Sequence, residues 1–145
     1  MAQLFAIHPD NPQERLVKQV AGQIKQGKIL VLPTDACYVL CCHLGDKTAM
    51  ERILAIRQID LKHHLTLLCA DLSELGEPLL SCTLMLPEDE EPLTDPYEIQ
   101  DRLDHAVDII IDGGWCGSEP TTVVDMTDGI ELVRQGKGDT ALLGL

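Results

Sequence analysis

A hydroxyl and a carboxylate, Thr34 and Asp35, stand side by side between two apolar runs in residues 28–44, KILVLPTDACYVLCCHL. A small polar ligand could meet both at such a corner. Turn chemistry explains the same pair without any ligand, because Thr and Asp side chains hydrogen-bond the backbone of the turn they occupy. Pro33, which has no N–H to donate, is expected to stop the first strand's ladder there. Six cysteines, Cys37, Cys41, Cys42, Cys69, Cys82 and Cys116, are a second possible source of chemistry. None forms a CxxC pair. Adjacent Cys41 and Cys42 must point to opposite faces of a strand, which argues against a metal cluster with His43, so small buried thiols are expected. The basic residues gather in one segment, Arg52, Arg57, Lys62, His63 and His64.

The elements that must hold these residues alternate between helix and strand. Short strands are expected at 5–8, 29–32, 37–44, 65–69, 79–86, 107–111, 121–125 and 130–133, with a turn at Asp128–Gly129. The runs at 29–32 and 37–44 lack period-2 alternation, as strands covered on both faces do. One helix should open at Asn11-Pro12-Gln13-Glu14, with Asn11 as N-cap and Glu14 closing a capping box. Its stripe is Leu16, Val17, Val20, Ala21 and Ile24, and Gly27 ends it. Asp46 caps a second helix over 47–57, with Arg57 in its last turn, where a cation suits the helix dipole. A helix start falls at 71–75. Asp95-Pro96 opens another helix, over 97–103. The tail from Gly136 is expected to be loosely held. The class is α/β, a twisted, mixed, open sheet with flanking helices.

The chain has 145 residues, 45% of them hydrophobic, enough for one domain with its own core. Aromatics make up only 3%, so base-stacking platforms are poorly supplied. The net charge of −13, densest at Glu88-Asp89-Glu90-Glu91, repels phosphate backbones globally. No stretch has the length of a membrane span or the pattern of a secretory leader, so a reduced, cytoplasmic protein is expected.

Nine stretches in order, HPDNPQERL, LPTDACYVL, DKTAMERILAIRQ, KHHLTLLCADLSEL, GEPLLSCTLMLP, DPYEIQDRLD, VDIIIDGG, PTTVVDMT and VRQGKGD, together resemble the YrdC/YciO family, with the YciO branch nearest. The resemblance implies an α/β sheet with a cleft on one side. It also implies L-threonylcarbamoyladenylate synthase chemistry, from threonine, bicarbonate and ATP (with Mg2+ accompanying the nucleotide), in the tRNA threonylcarbamoyladenosine pathway. No catalytic residue is singled out. Carried over position by position, it assigns Thr34 and Tyr38 to the PTD motif and places Arg57 where the family's KxR motif has its Lys. Lys62 lies nearby in the same loop. Thr83 falls at the first position of the SxN motif with Ser81 just before it, Thr121 and Thr122 lie before VVD, and Arg134 follows the last strand.

Two departures weaken the case for synthase activity: Ile59 replaces the second cation of KxR, and Met85 replaces the Asn of SxN. A third is larger. The family's central block, with its basic strand, is missing at the 75/76 junction, leaving a shortened YrdC-like domain that a homodimer could complete. The alternatives are a non-catalytic nucleotide- or RNA-binding protein, with tRNA or double-stranded RNA disfavoured by the charge, and an inactive structural remnant.

Overall fold

The computed structural model describes every residue except 9, 61, 63, 64 and 69–78. The expected helix start at 71–75 and the 75/76 junction lie outside the described residues. Six strands form one mixed sheet in the order β1-β6-β2-β3-β5-β4. They are β1 (Gln3–Ala6), β2 (Leu30–Pro33), β3 (Tyr38–His43), β4 (Thr66–Leu68), β5 (Leu79–Thr83) and β6 (Ile109–Asp112). β6 lies parallel to both β1 and β2, whereas β2, β3, β5 and β4 pair antiparallel. A separate two-stranded sheet joins β7 (Val123–Asp125) to β8 (Glu131–Arg134).

The apolar runs at 29–32 and 37–44 become the centre of the larger sheet. Strand alternation divides their side chains into two cores. Ile29, Val31, Tyr38, Leu40 and Cys42 join Ala49 and Ile53 of helix α2 (Lys47–Arg57) and Ile99 and Leu103 of helix α3 (Pro96–Leu103). Leu30, Val39 and Cys41 face the other way, with Cys37 and with Val20 and Ile24 of helix α1 (Glu14–Lys25). Cys41 and Cys42 are thus on opposite faces, as the alternation requires. Ile53, Ile99, Ile109 and Ile110 have no exposed surface, and burying each contributes roughly 1.5–3 kcal/mol.

Several boundaries differ from the sequence-based expectations. Helix α1 starts at Glu14 with Gln13 as N-cap and no side-chain cap. Asn11 does not cap because it lies two residues before the cap position, in a turn where its N–H and that of Asp10 donate to His8 Nδ1. Strand β1 begins two residues early, since Gln3 must pair with Ile109 in the parallel ladder. Strand β5 ends at Thr83: Leu84 N–H still reaches the Tyr38 carbonyl, but Met85 N–H turns back onto Thr83 O. The tail is not loose, because Asp139 caps a 3-10 turn over Thr140–Leu143. Helix α2 spans the expected residues, its Asp46 carboxylate accepting from Ala49 N–H at 3.0 Å.

One ion pair ties α2 to the sheet. Arg52 Nη1 is 2.8 Å from Asp108 Oδ2, the oxygen that also accepts from Ile29 N–H at 2.9 Å. Partial burial alone would raise the Asp108 carboxyl, but the Arg52 and Ile29 donors prevail and hold it below its ordinary 3.8. A depressed folded-state value means that this stabilisation is fully present above 3.8 and lost as the pH falls through the lower folded value. Asp108→Ala should therefore cost roughly 1–3 kcal/mol at neutral pH. In urea melts the gap to wild type should shrink as the pH drops below 3.8, and a gap that stays constant would show that the charge plays no part.

Candidate functional site

The corner between β2 and β3 is a hydroxyl-closed turn. Thr34 Oγ1 donates to the Cys37 carbonyl at 2.6 Å and accepts from Ala36 N–H at 3.2 Å and Cys37 N–H at 3.1 Å. The turn role is realised in full. What the hydroxyl holds in place is the start of β3, and with it Cys37, which has no exposed surface.

Cys37 is where distant segments meet. Burial pushes its thiol up. The Thr83 hydroxyl, the Arg134 guanidinium and the Thr121 N–H pull it back down, and the Asp35 carboxylate adds to the rise. The groups that shift this thiol come from the β2–β3 turn, the end of β5, the approach to β7 and the end of β8, so these segments lie near one another. Arg134 is fixed by Nε and Nη2, which donate to the Thr121 carbonyl at 3.1 and 2.9 Å.

Thr122 fastens the tail against this group. Its hydroxyl accepts from Gly136 N–H at 3.1 Å and donates to Gly138 O at 2.8 Å. Gly136 has no room for a side chain, since a Cβ there would fall 2.2 Å from the Pro120 carbonyl. The fastened tail brings the Lys137 ammonium onto the Asp35 carbonyl. Sequence reasoning missed Lys137 because the residue lies in a stretch read as loose.

The remaining site residues do not join this group. Tyr38 is fully buried on the α2 side of the sheet, and burial pushes its phenol up to about 12. Its hydroxyl donates to Gly114 O at 2.6 Å and accepts from Gly113 N–H at 3.3 Å, so it braces the loop after β6. Arg57 lies on the α2 side as well, where Nε donates to Met85 O at 3.0 Å beside Cys82. Ser81 is on the Thr83 face, but its hydroxyl is engaged with Thr66, 3.2 Å away. Lys62 is exposed in an open hollow with Glu51, Leu54, Ile59 and Asp60. Among the described residues no three His, Cys, Asp or Glu side chains converge as metal ligands would. No helix among them is long and apolar enough to cross a membrane.

This mixed sheet, with a hydroxyl-and-arginine group at one hairpin corner, belongs to a known class. The Sua5/YciO/YrdC family, described as Telomere recombination, matches residues 22–79 and 72–136. The chain belongs to this family. It is 38% identical to Escherichia coli YciO, with 96% of this chain and 98% of that protein covered. It is equally similar, at 38%, to an uncharacterised Haemophilus influenzae protein, covering 97% and 99% of the two chains. That second match runs over 204 positions, more than the 145 residues present here.

A threonylcarbamoyl-AMP synthase of Vibrio vulnificus is 33% identical over 72 residues, half of this chain and 38% of that protein. Among solved structures, E. coli YciO superposes with a TM-score of 0.86 at 37% identity, covering 97% of this chain and 98% of that one. P. abyssi Sua5 complexed with L-threonine gives a TM-score of 0.77 at 16% identity, over 93% of this chain and 58% of that one, and so shares the fold.

The packing of Gly136 makes a direct prediction. Gly136→Ala should release the tail from Thr122 and free the backbone around the already exposed Arg134 and Lys137, giving faster tryptic cleavage at both than in wild type. Equal cleavage rates in the two proteins would mean that the tail is not held in this way.

Proposed function

We propose that this YciO-type chain binds L-threonine and ATP at the β2–β3 corner, in the manner of a threonylcarbamoyl-adenylate synthase whose phosphate-handling machinery is reduced. The observation that carries the reading is that the 34–37 turn, closed by the Thr34 hydroxyl, is hydrogen-bonded to Lys137 and Cys116, with the bonded pair Arg134 and Thr121 and the Thr83 hydroxyl near Cys37. Segments far apart in sequence, carrying Thr34, Thr83 and Arg134 at positions the family resemblance assigns to substrate, meet at one corner. The Arg134 guanidinium and the Thr83 and Thr121 hydroxyls suit the carboxylate and hydroxyl of an amino acid, while the Thr34 hydroxyl, spent on its own turn, shapes the corner. The relationship to threonylcarbamoyl-AMP synthases supports threonine as that amino acid.

Adenylation requires more than binding. Attack on the α-phosphate with pyrophosphate leaving spreads negative charge, which cations must offset in the transition state. Here Ile59 supplies no charge, and Arg57 points its Nε at a backbone carbonyl on the opposite side of the sheet. The Haemophilus influenzae relative aligns over 204 positions against the 145 residues here, so it carries residues with no counterpart in this chain. Binding with little or no turnover is the function these residues support. Any Mg2+ would accompany ATP as its counterion. An RNA surface is disfavoured by the net charge of −13.

A thermal melt with ATP plus threonine should shift upward, by the mass-action relation for a ligand that binds only the folded state. Arg134→Ala should abolish most of that shift, whereas Arg57→Ala should lower the melting temperature without changing the ligand-induced increment. A wild-type melt indifferent to both ligands would remove the proposal. Threonine-dependent pyrophosphate release at the rate of an active synthase would overturn the non-catalytic part.

A further inference from the structure

Four aromatic residues are present, and the structure treats them unequally. Phe5 and Tyr38 are buried, whereas Tyr97 is 69% exposed and Trp115, the single tryptophan, is 77% exposed. Exposing an indole forgoes the largest apolar burial a residue can offer, so its position calls for an explanation.

Trp115 is carried on a loop that is pinned on both flanks to the candidate site. On one side, Gly113 N–H and Gly114 O are hydrogen-bonded to the Tyr38 hydroxyl. On the other, the Cys116 thiol donates to the Thr34 carbonyl at 3.7 Å, and Cys116 N–H donates to Thr94 O at 3.3 Å. Gly117 follows so closely that a Cβ on it would lie 3.0 Å from the Ala36 carbonyl. The backbone around the indole is therefore tied to the same turn, residues 34–37, that organises the threonine and arginine group.

Two cations attend that turn. Lys137 donates to the Asp35 carbonyl, one residue from the carbonyl that Cys116 contacts, and Arg134 donates to Thr121. The charge of Lys137 is also felt at the Cys116 thiol. Most other paired bases are matched with carboxylates: Lys47 with Glu51, Arg52 with Asp108, and Arg102 with Glu88, Asp89 and Glu98. Among the described residues the hydrogen bonds of Arg134 and Lys137 go to neutral oxygens, which leaves their charge available to an anion.

We propose that Trp115 is the base-stacking residue of this corner and Lys137 its additional phosphate cation, so that an adenine nucleotide lies with its base on the indole and its phosphates toward Lys137 and Arg134. The inference rests on the nucleotide-binding reading above and deepens it by assigning two residues. A pre-positioned aromatic face meets any base without a sequence code, and the pinned loop lessens the ordering that binding must impose.

Calorimetric titrations of ATP and of inorganic triphosphate into wild type, Trp115→Ala, Trp115→Phe and Lys137→Ala test this assignment. ATP should quench the single-tryptophan fluorescence. Trp115→Ala should bind ATP roughly tenfold more weakly, the scale of one lost base–aromatic stack, while its triphosphate affinity stays at the wild-type level. Trp115→Phe should recover most of the loss, and Lys137→Ala should weaken both ligands by a similar factor. Wild-type ATP affinity in Trp115→Ala would overturn the stacking role while leaving the nucleotide reading intact. A wild-type protein that binds neither ATP nor triphosphate would overturn the nucleotide reading and this inference with it.

Discussion

The constraint on which the structure depends is that β3 is buried on both faces. Tyr38, Val39, Leu40, Cys41 and Cys42 have 0–3% of their surface exposed, and alternation assigns each of them to one core or the other without freedom to slip. Its neighbours β2 and β5 are held in register on either side. The turn that launches β3 must be equally fixed, and the Thr34 hydroxyl closes it with three hydrogen bonds. Two distant segments are hydrogen-bonded to that turn, through Cys116 on Thr34 O and Lys137 on Asp35 O, and Thr83 lies near the Cys37 it presents.

Function follows from the same alternation. Thr83 is directed to the Cys37 face and Cys82 to the α2 face, so adjacent residues of β5 serve a site and a core respectively. Arg57, at the end of α2, falls on the core side and bonds Met85 O. Two cations assigned to one pocket by motif position, Arg57 and Arg134, are thereby placed on opposite sides of one sheet. The net charge of −13 disfavours an extended polyanion such as RNA but leaves room for a small anion at the corner, where among the described residues Arg134 and Lys137 hydrogen-bond neutral oxygens.

Much of this was legible in the residues. The two central strands announced themselves as unbroken apolar runs, and α2 was bounded by Asp46 and Arg57 because cap chemistry is local. The opposite orientation of Cys41 and Cys42 followed from strand geometry alone. What failed was non-local. Asn11 looks like a cap, but the helix begins only at Glu14, behind Gln13, and the start of β1 is set by its pairing with β6. The tail looked loose because small residues usually are; here Gly136 is small so that the chain can lie against Pro120. Lys137 lies in the matched stretch VRQGKGD but has no role assigned there, Trp115 lies in no matched stretch, and only the fold brings Lys137 and the loop of Trp115 to the 34–37 turn.

A two-dimensional NMR titration of the amide-labelled protein with threonine and with ATP addresses the central claim most directly. The account predicts perturbations confined to the corner: residues 34–37, Thr83, 113–122 and 134–138. Perturbations centred instead on the end of α2, around Arg57 and Lys62, would contradict it, as would spectra unchanged by either ligand.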